Sequence, residues 1–101
     1  MKYLVATLDE LAPGALRRVD PGGVPVCLTR LDDGEVHAMS DLCSHEEVEL
    51  SDGDLDGCEV LCPAHGSCFD VRTGKPNGLP AVDAVAIYPV SLDGDDIYVE
   101  I

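Results

Sequence analysis

Apolar residues recur along this chain in short runs, each cut off by Gly, Pro, Asp or Asn. The interruptions are Pro13-Gly14, Pro21-Gly22-Gly23, Asp32-Asp33-Gly34, Asp52-Gly53, Asp56-Gly57, Thr73-Gly74, Asn77-Gly78 and Asp93-Gly94. The runs between them predict strands over Lys2–Thr7, Ala15–Val19, Val24–Arg30, Glu35–Met39, Glu59–Cys62, Cys68–Val71, Ala86–Leu92 and Asp96–Ile101. Short strands with frequent turn signals indicate an all-β sandwich or barrel, antiparallel in type. Val24, Val26 and Leu28 alternate, which predicts a strand buried on one face only. Leu31–Glu35 reads as the turn of a hairpin. Asp9-Glu10-Leu11 suits a single helical turn, and no longer stretch has helical periodicity. The segment 41–80 is loop-rich and Gly-rich. It is expected to form a lobe mounted on a β base built from about residues 1–40 and 81–101, all within one domain.

Length supports one domain, since 101 residues is an ordinary size for a single small core. Such a chain buries roughly 65% of its unfolded surface, which leaves little to spare. The hydrophobic fraction is 46% with no Trp, so Val, Leu, Ala and Ile must build the interior. A bound metal would help to hold it. No apolar run approaches the ~20 residues of a membrane-spanning helix. Asp9 and Glu10 arrive too early for a signal peptide. The expectation is a soluble, cytoplasmic protein.

The net charge is −14, from 20 acids against 6 bases. Nucleic-acid binding needs Lys and Arg to displace counterions, so that class is excluded. An acidic protein instead suits a partner with a basic docking face, because opposite fields speed encounter. General solubility, or a salty habitat, would account for the same acidity.

The chemistry concentrates in two boxes, Cys43-Ser44-His45 and Cys62-Pro63-Ala64-His65. Each pairs one thiolate with one imidazole across a short loop. Two Cys and two His suit either zinc or an iron–sulfur centre. Structural zinc sites commonly group Cys with Cys and His with His, whereas each box here is mixed. Between the boxes lie Glu46, Glu47, Glu49, Asp52, Asp54, Asp56 and Glu59.

The two boxes resemble those of the Rieske family, C-x-H followed by C-x-x-H-G. The likeness continues through "CPAHGSCFDVRTGKP" from Cys62 to Pro76 and covers nearly the whole chain. The resemblance implies a Rieske-type β base with a small cluster-binding lobe. It implies one [2Fe–2S] cluster per chain, with Cys43 and Cys62 on one iron and His45 and His65 on the other. Replacing two thiolates by neutral imidazoles removes negative charge, so Rieske potentials lie at roughly −150 to +300 mV against about −400 mV for plant-type ferredoxins.

High-potential members carry an inter-loop disulfide at the positions held here by Val48 and Ala64, so that bridge is absent. Ser67 matches a serine that donates to a bridging sulfide in those members. Phe69 stands where they have a tyrosine whose hydroxyl reaches a ligand sulfur. Gly66 completes the second box, and Pro80 ends the Lys75–Pro80 loop that covers the cluster in the family. One tuning donor is kept and one lost, and the acidic run disfavours an incoming electron. The expected potential is at the low end of the range.

The remaining residues add no catalytic machinery. His37 is the one other histidine, expected to be structural or at the surface. With it alone, the 2-His-1-carboxylate iron site of an oxygenase cannot be built. No G-x-G-x-x-G is present. Cys27, Cys58 and Cys68 are expected as reduced, non-catalytic thiols. Chains of this kind resemble the ferredoxin components of bacterial aromatic-ring dioxygenase systems. That likeness implies a monomeric electron carrier, not an enzyme, between a flavin-dependent NAD(P)H reductase and a terminal oxygenase. The alternatives are the small Rieske-like subunit of an assimilatory NADH nitrite reductase and, in another class, a zinc-stapled interaction module.

Overall fold

The computed structural model describes residues 1–42, 49–63, 68–77 and 84–101. The strands are Lys2–Thr7 (β1), Leu16–Val19 (β2), Val26–Arg30 (β3), Val36–Ser40 (β4), Asp54–Asp56 (β5), Glu59–Leu61 (β6), Cys68–Asp70 (β7), Pro76–Asn77 (β8), Ile87–Tyr88 (β9), Val90–Asp93 (β10) and Asp96–Glu100 (β11). Short 3-10 turns occupy Leu8–Glu10, Pro21–Gly23 and Leu50–Asp52. The fold is all-β, and every strand pairing is antiparallel. Among the described residues no helix is long and apolar enough to cross a membrane.

Among the described residues three sheets form, in the orders β1-β11-β10, β2-β3-β4-β9 and β5-β6-β7-β8. The second sheet is the central wall. Val26, Leu28 and Ala38 on one face pack with Ala6, Leu11, Ile97 and Val99. Cys27 and Met39 on the other face pack with Leu50, Val60, Cys62, Phe69, Val71 and Val85. Successive strand residues point to opposite faces, so β3 feeds both cores. Val26, Cys27, Leu28 and Thr29 are accordingly each 0% exposed. The strand expected to be buried on one face is buried on both.

The expected hairpin at Leu31–Glu35 is present. Arg30 pairs with Val36 across it, and Gly34 N–H donates to the Leu31 carbonyl at 2.9 Å. Beside it, His37 Nε2 lies 3.0 Å from Glu35 Oε1, and the Arg72 guanidinium bonds both oxygens of Glu35. The single strand expected over Ala86–Leu92 is instead two. β9 pairs with β4 in the central sheet, and β10 pairs with β11 in the outer one. Pro89 stands between them and has no N–H to give either ladder. Switching sheets at such a corner closes the sandwich. Two short strands, β5 and β8, lie inside the segment read as loop-rich. Asp54 and Asp56 flank Leu55, and β8 is only Pro76–Asn77, so neither run carries a strong strand signal.

Candidate metal centre

Two neighbouring stems lead into the sequence segments that carry the Cys-His boxes. The first stem begins where β4 ends. Asp41 N–H donates to the Pro25 carbonyl at 3.1 Å, and Asp41's own carbonyl accepts from Leu50 N–H at 2.6 Å. Leu42 and Glu49 form an isolated antiparallel bridge. The chain therefore leaves at Leu42, passes through Cys43 and His45, and returns at Glu49. The Leu50–Asp52 turn follows, with Leu50 fully buried.

The second stem is the β6–β7 hairpin. Leu61 pairs with Cys68, and Val60 pairs with Phe69. Cys62 follows immediately, 2% exposed, in the same apolar cluster as Leu50 and Phe69. It forms no disulfide, and neither do Cys27, Cys58 and Cys68. A third stem adjoins the second, because β8 pairs with β7 before the chain enters residues 78–83. Its return is tied at Val85, whose N–H donates to the Gly74 carbonyl at 2.9 Å.

Two glycines make these approaches possible. A Cβ on Gly53 would overlap the Leu61 carbonyl oxygen. The first stem's return thus lies directly against the strand that delivers Cys62. The Gly53 φ of −87° is ordinary, so the requirement is space and not backbone conformation. Gly74 has φ +75°, and a Cβ there would overlap the Val85 carbonyl oxygen. Both constraints apply at that position.

Of the expected site residues, Cys62 and Phe69 are within the description. Cys43, His45, His65, Gly66, Ser67 and Pro80 lie outside the described residues, as do Glu46 and Glu47. Phe69 is 0% exposed beneath the second stem. His37 sits near the hairpin end of β4, away from Ser40 and the stem, in keeping with a structural role.

The surrounding charge is uneven. Asp52, Asp54 and Asp56 are exposed. Glu49 is ion-paired with Arg18, so one carboxylate of the acidic run is already neutralised. Burial raises the Cys68 thiol pKa, and the Glu59 and Asp56 carboxylates push it further. Cys27 is pushed up to about 12, mainly by burial. Both thiols therefore stay protonated at neutral pH and are poor nucleophiles.

Sequence reasoning missed Asp41. Its side chain is 0% exposed. Oδ1 accepts from Ser51 N–H at 2.7 Å, and Oδ2 accepts from the Ser51 hydroxyl at 3.0 Å. Arg18 Nε lies 3.8 Å from Oδ2. Burial is the main cause of a raised Asp41 pKa, opposed by the two Ser51 hydrogen bonds and then by Arg18. Asp41 precedes the first box closely, but nothing in the sequence pairs it with Ser51 or Arg18.

The donor set suits an iron–sulfur centre. One cysteine ligand candidate, Cys62, is a free thiol that follows strand β6 into an apolar pocket. Such surroundings favour a group whose charge is spread over several atoms. Comparison with known proteins agrees. The Rieske [2Fe-2S] domain family matches residues 1–89. The ferredoxin component of biphenyl 2,3-dioxygenase from Rhodococcus jostii (strain RHA1) is 37% identical over 97 residues, covering 96% of this chain and 90% of that protein. The solved ferredoxin of carbazole 1,9a-dioxygenase from Nocardioides aromaticivorans IC177 is 44% identical with TM-score 0.93, covering 98% of this chain and 96% of that one. A chain in a complex of reduced oxygenase and oxidized ferredoxin of carbazole 1,9a-dioxygenase is 33% identical with TM-score 0.90, covering 97% of this chain and 91% of that one.

Proposed function

The chain belongs to the Rieske [2Fe-2S] family, and from that premise we propose that it is a one-electron carrier delivering electrons to a terminal Rieske oxygenase. It is an electron-transfer component and not itself the catalyst. The observation that carries this reading is near end-to-end similarity to proteins that are themselves ferredoxin components. One [2Fe–2S] cluster per chain supplies a one-electron couple when bound. Cys43 and Cys62 are its thiolate ligands, and His45 and His65 its imidazole ligands. The base is residues 1–40 and 81–101, and the cluster lobe is 41–80. The donor of electrons is a flavin-dependent NAD(P)H reductase, and the carrier works as a soluble cytoplasmic monomer.

This chain's residues shape the couple in stated ways. The stems hold the ligand loops, and the apolar pocket around Cys62, Leu50 and Phe69 keeps water from the thiolate side. Phe69 offers no hydroxyl to a ligand sulfur. Together with the exposed carboxylates Asp52, Asp54 and Asp56, this favours a potential at the low end of the family range. The same carboxylates offer a docking field to a basic partner face.

The test is protein-film voltammetry on anaerobically purified protein, with iron, sulfide and zinc analysis of the same sample. The expected result is iron and acid-labile sulfide in equal amounts. It includes a reversible one-electron wave near roughly −150 mV, flat at neutral pH and falling at alkaline pH. Protein loaded with zinc and giving no wave would end the electron-transfer reading. His45→Cys and His65→Cys are each expected to lower the potential or lose the cluster. An unchanged spectrum and potential would overturn the ligand assignment. Electron transfer to the oxygenase is expected to slow with added salt, and a flat rate would remove the docking role of the acidic face.

A further inference from the structure

Asp41 is an expensive residue to bury. A buried carboxylate costs several kcal/mol unless its oxygens are paired. Met39 and Ala38, two and three positions before it, are apolar core residues, so the strand itself does not call for charge. What distinguishes Asp41 is where its partners lie. Leu50 N–H bonds its carbonyl, and Ser51 bonds both side-chain oxygens. Both residues belong to the returning arm of the loop that carries Cys43 and His45. Arg18, on β2, spans the two arms as well. It contacts Asp41 on the outgoing arm and Glu49 on the returning arm, and is itself braced by Asp20 at 3.2 Å. The returning arm then meets the Cys62 strand at Gly53.

These contacts run from the stem before Cys43, through its returning arm, to the strand that leads to Cys62. We propose that Asp41, with Ser51 and Arg18, is a positioning clamp that holds the Cys43–His45 arm at its working distance from the Cys62 arm. The clamp is thereby what retains the cluster and sets its geometry. The inference rests on the ligand reading given above. A residue of this kind acts through the loop it holds, so its loss should affect the cluster more than it affects folding. Hydrogen bonds to a charged acceptor are the stronger class, and two of them converge from one residue here.

The experiment compares Asp41→Ala, Asp41→Asn, Ser51→Ala and Arg18→Met with Val99→Ala. The last is a control in the opposite core, away from the stems. Three quantities are read on cluster-loaded protein: the denaturation midpoint by far-UV circular dichroism, the rate of visible bleaching under a chelator, and the EPR spectrum after reduction. Asp41→Ala is expected to bleach at least about tenfold faster than a control of equal midpoint, a difference of about 1.4 kcal/mol in barrier, with shifted EPR features. Ser51→Ala and Arg18→Met should fall between. Asp41→Asn should fall between Asp41→Ala and wild type, since its amide can still accept from Ser51 N–H and donate to the Ser51 hydroxyl but loses the charge that Arg18 faces. If Asp41→Ala does not fold, Ser51→Ala decides by the same criterion. Bleaching no faster than the stability-matched control, with a wild-type EPR spectrum, would overturn the clamp while leaving the carrier reading intact. Wild-type protein that carries zinc in place of iron and sulfide would sink the cluster reading, and the clamp with it.

Discussion

The two faces of the central sheet carry cores of different kinds. The buried residues of the core shared with β1, β10 and β11 are aliphatic: Ala6, Leu11, Val26, Leu28, Ala38, Ile97 and Val99, with Tyr88 packed at its edge. It joins strands that pair over four or more residues each. The opposite core mixes Phe69, Met39, two cysteines and aliphatics. It lies under strands of three residues or fewer in the lobe. Long ladders and aliphatic packing make the first core self-supporting. The second has few ladder hydrogen bonds, and single contacts such as the Gly53–Leu61 approach and the Asp41–Ser51 pair carry much of its order. The lesson is a division of labour. One face of β3 stabilises the molecule, and the other presents a site whose stability is coupled to what it binds.

The largest effect should come from emptying each core in turn. Phe69→Ala is expected to cost about 3–5 kcal/mol, and Ile97→Ala about 2–5 kcal/mol. The comparison predicts different unfolding patterns. In Phe69→Ala, visible colour should be lost at lower denaturant than far-UV circular dichroism. In Ile97→Ala, both signals should go together. Coincident transitions in Phe69→Ala would erase the distinction between the two cores. Gly53→Ala comes next, at about 1–3 kcal/mol for forced overpacking. Its methyl would press on a backbone oxygen that cannot swing away. Colour loss is again expected to precede global unfolding, whereas wild-type retention would show that the stems are not tightly joined.

A smaller change sharpens the comparison without breaking the fold. Phe69→Tyr restores the hydroxyl that the family resemblance places on a ligand sulfur. One hydrogen bond of about 1.4 kcal/mol is a tenfold shift in the reduction equilibrium, or about 59 mV upward for one electron. A potential that stays put would mean that the buried ring here does not face the ligands.

The smallest effect lies at the far hairpin. Glu35 is held at about 2, below its ordinary 4.5, first by the Arg72 hydrogen bond and then by His37 and Asp33. A lowered carboxyl pKa stabilises fully above about pH 4.5, and that contribution is lost as pH falls through about 2. The stability gap between wild type and Glu35→Gln should therefore be small at neutral pH and close on acidification. The potential should match wild type throughout. A change in potential would mean that the hairpin communicates with the cluster lobe.

Much of this was legible in the residue pattern. The boundaries of β1 and the start of β11 follow directly from β-prone runs bracketed by turn residues, as does the Leu31–Glu35 hairpin. The Cys-His boxes announced the family, because metal chemistry demands ligand types at fixed local spacing. Both are local properties, and local properties survive in one dimension. The strand division at Pro89 was readable in principle, since proline cannot join a ladder, but which sheet each half joins was not. The double burial of β3 looked like simple alternation because Thr29 passes for a surface residue until a second layer covers it. Asp41 illustrates the limit most clearly. Its partners Arg18 and Ser51 lie 33 positions apart in the sequence, and each alone reads as an ordinary polar residue. By itself the sequence determined which atoms could bind a cluster and that the framework would be β. Only the tertiary structure decided how the stems leading to the two boxes meet, because that depends on contacts between residues that share no spacing rule.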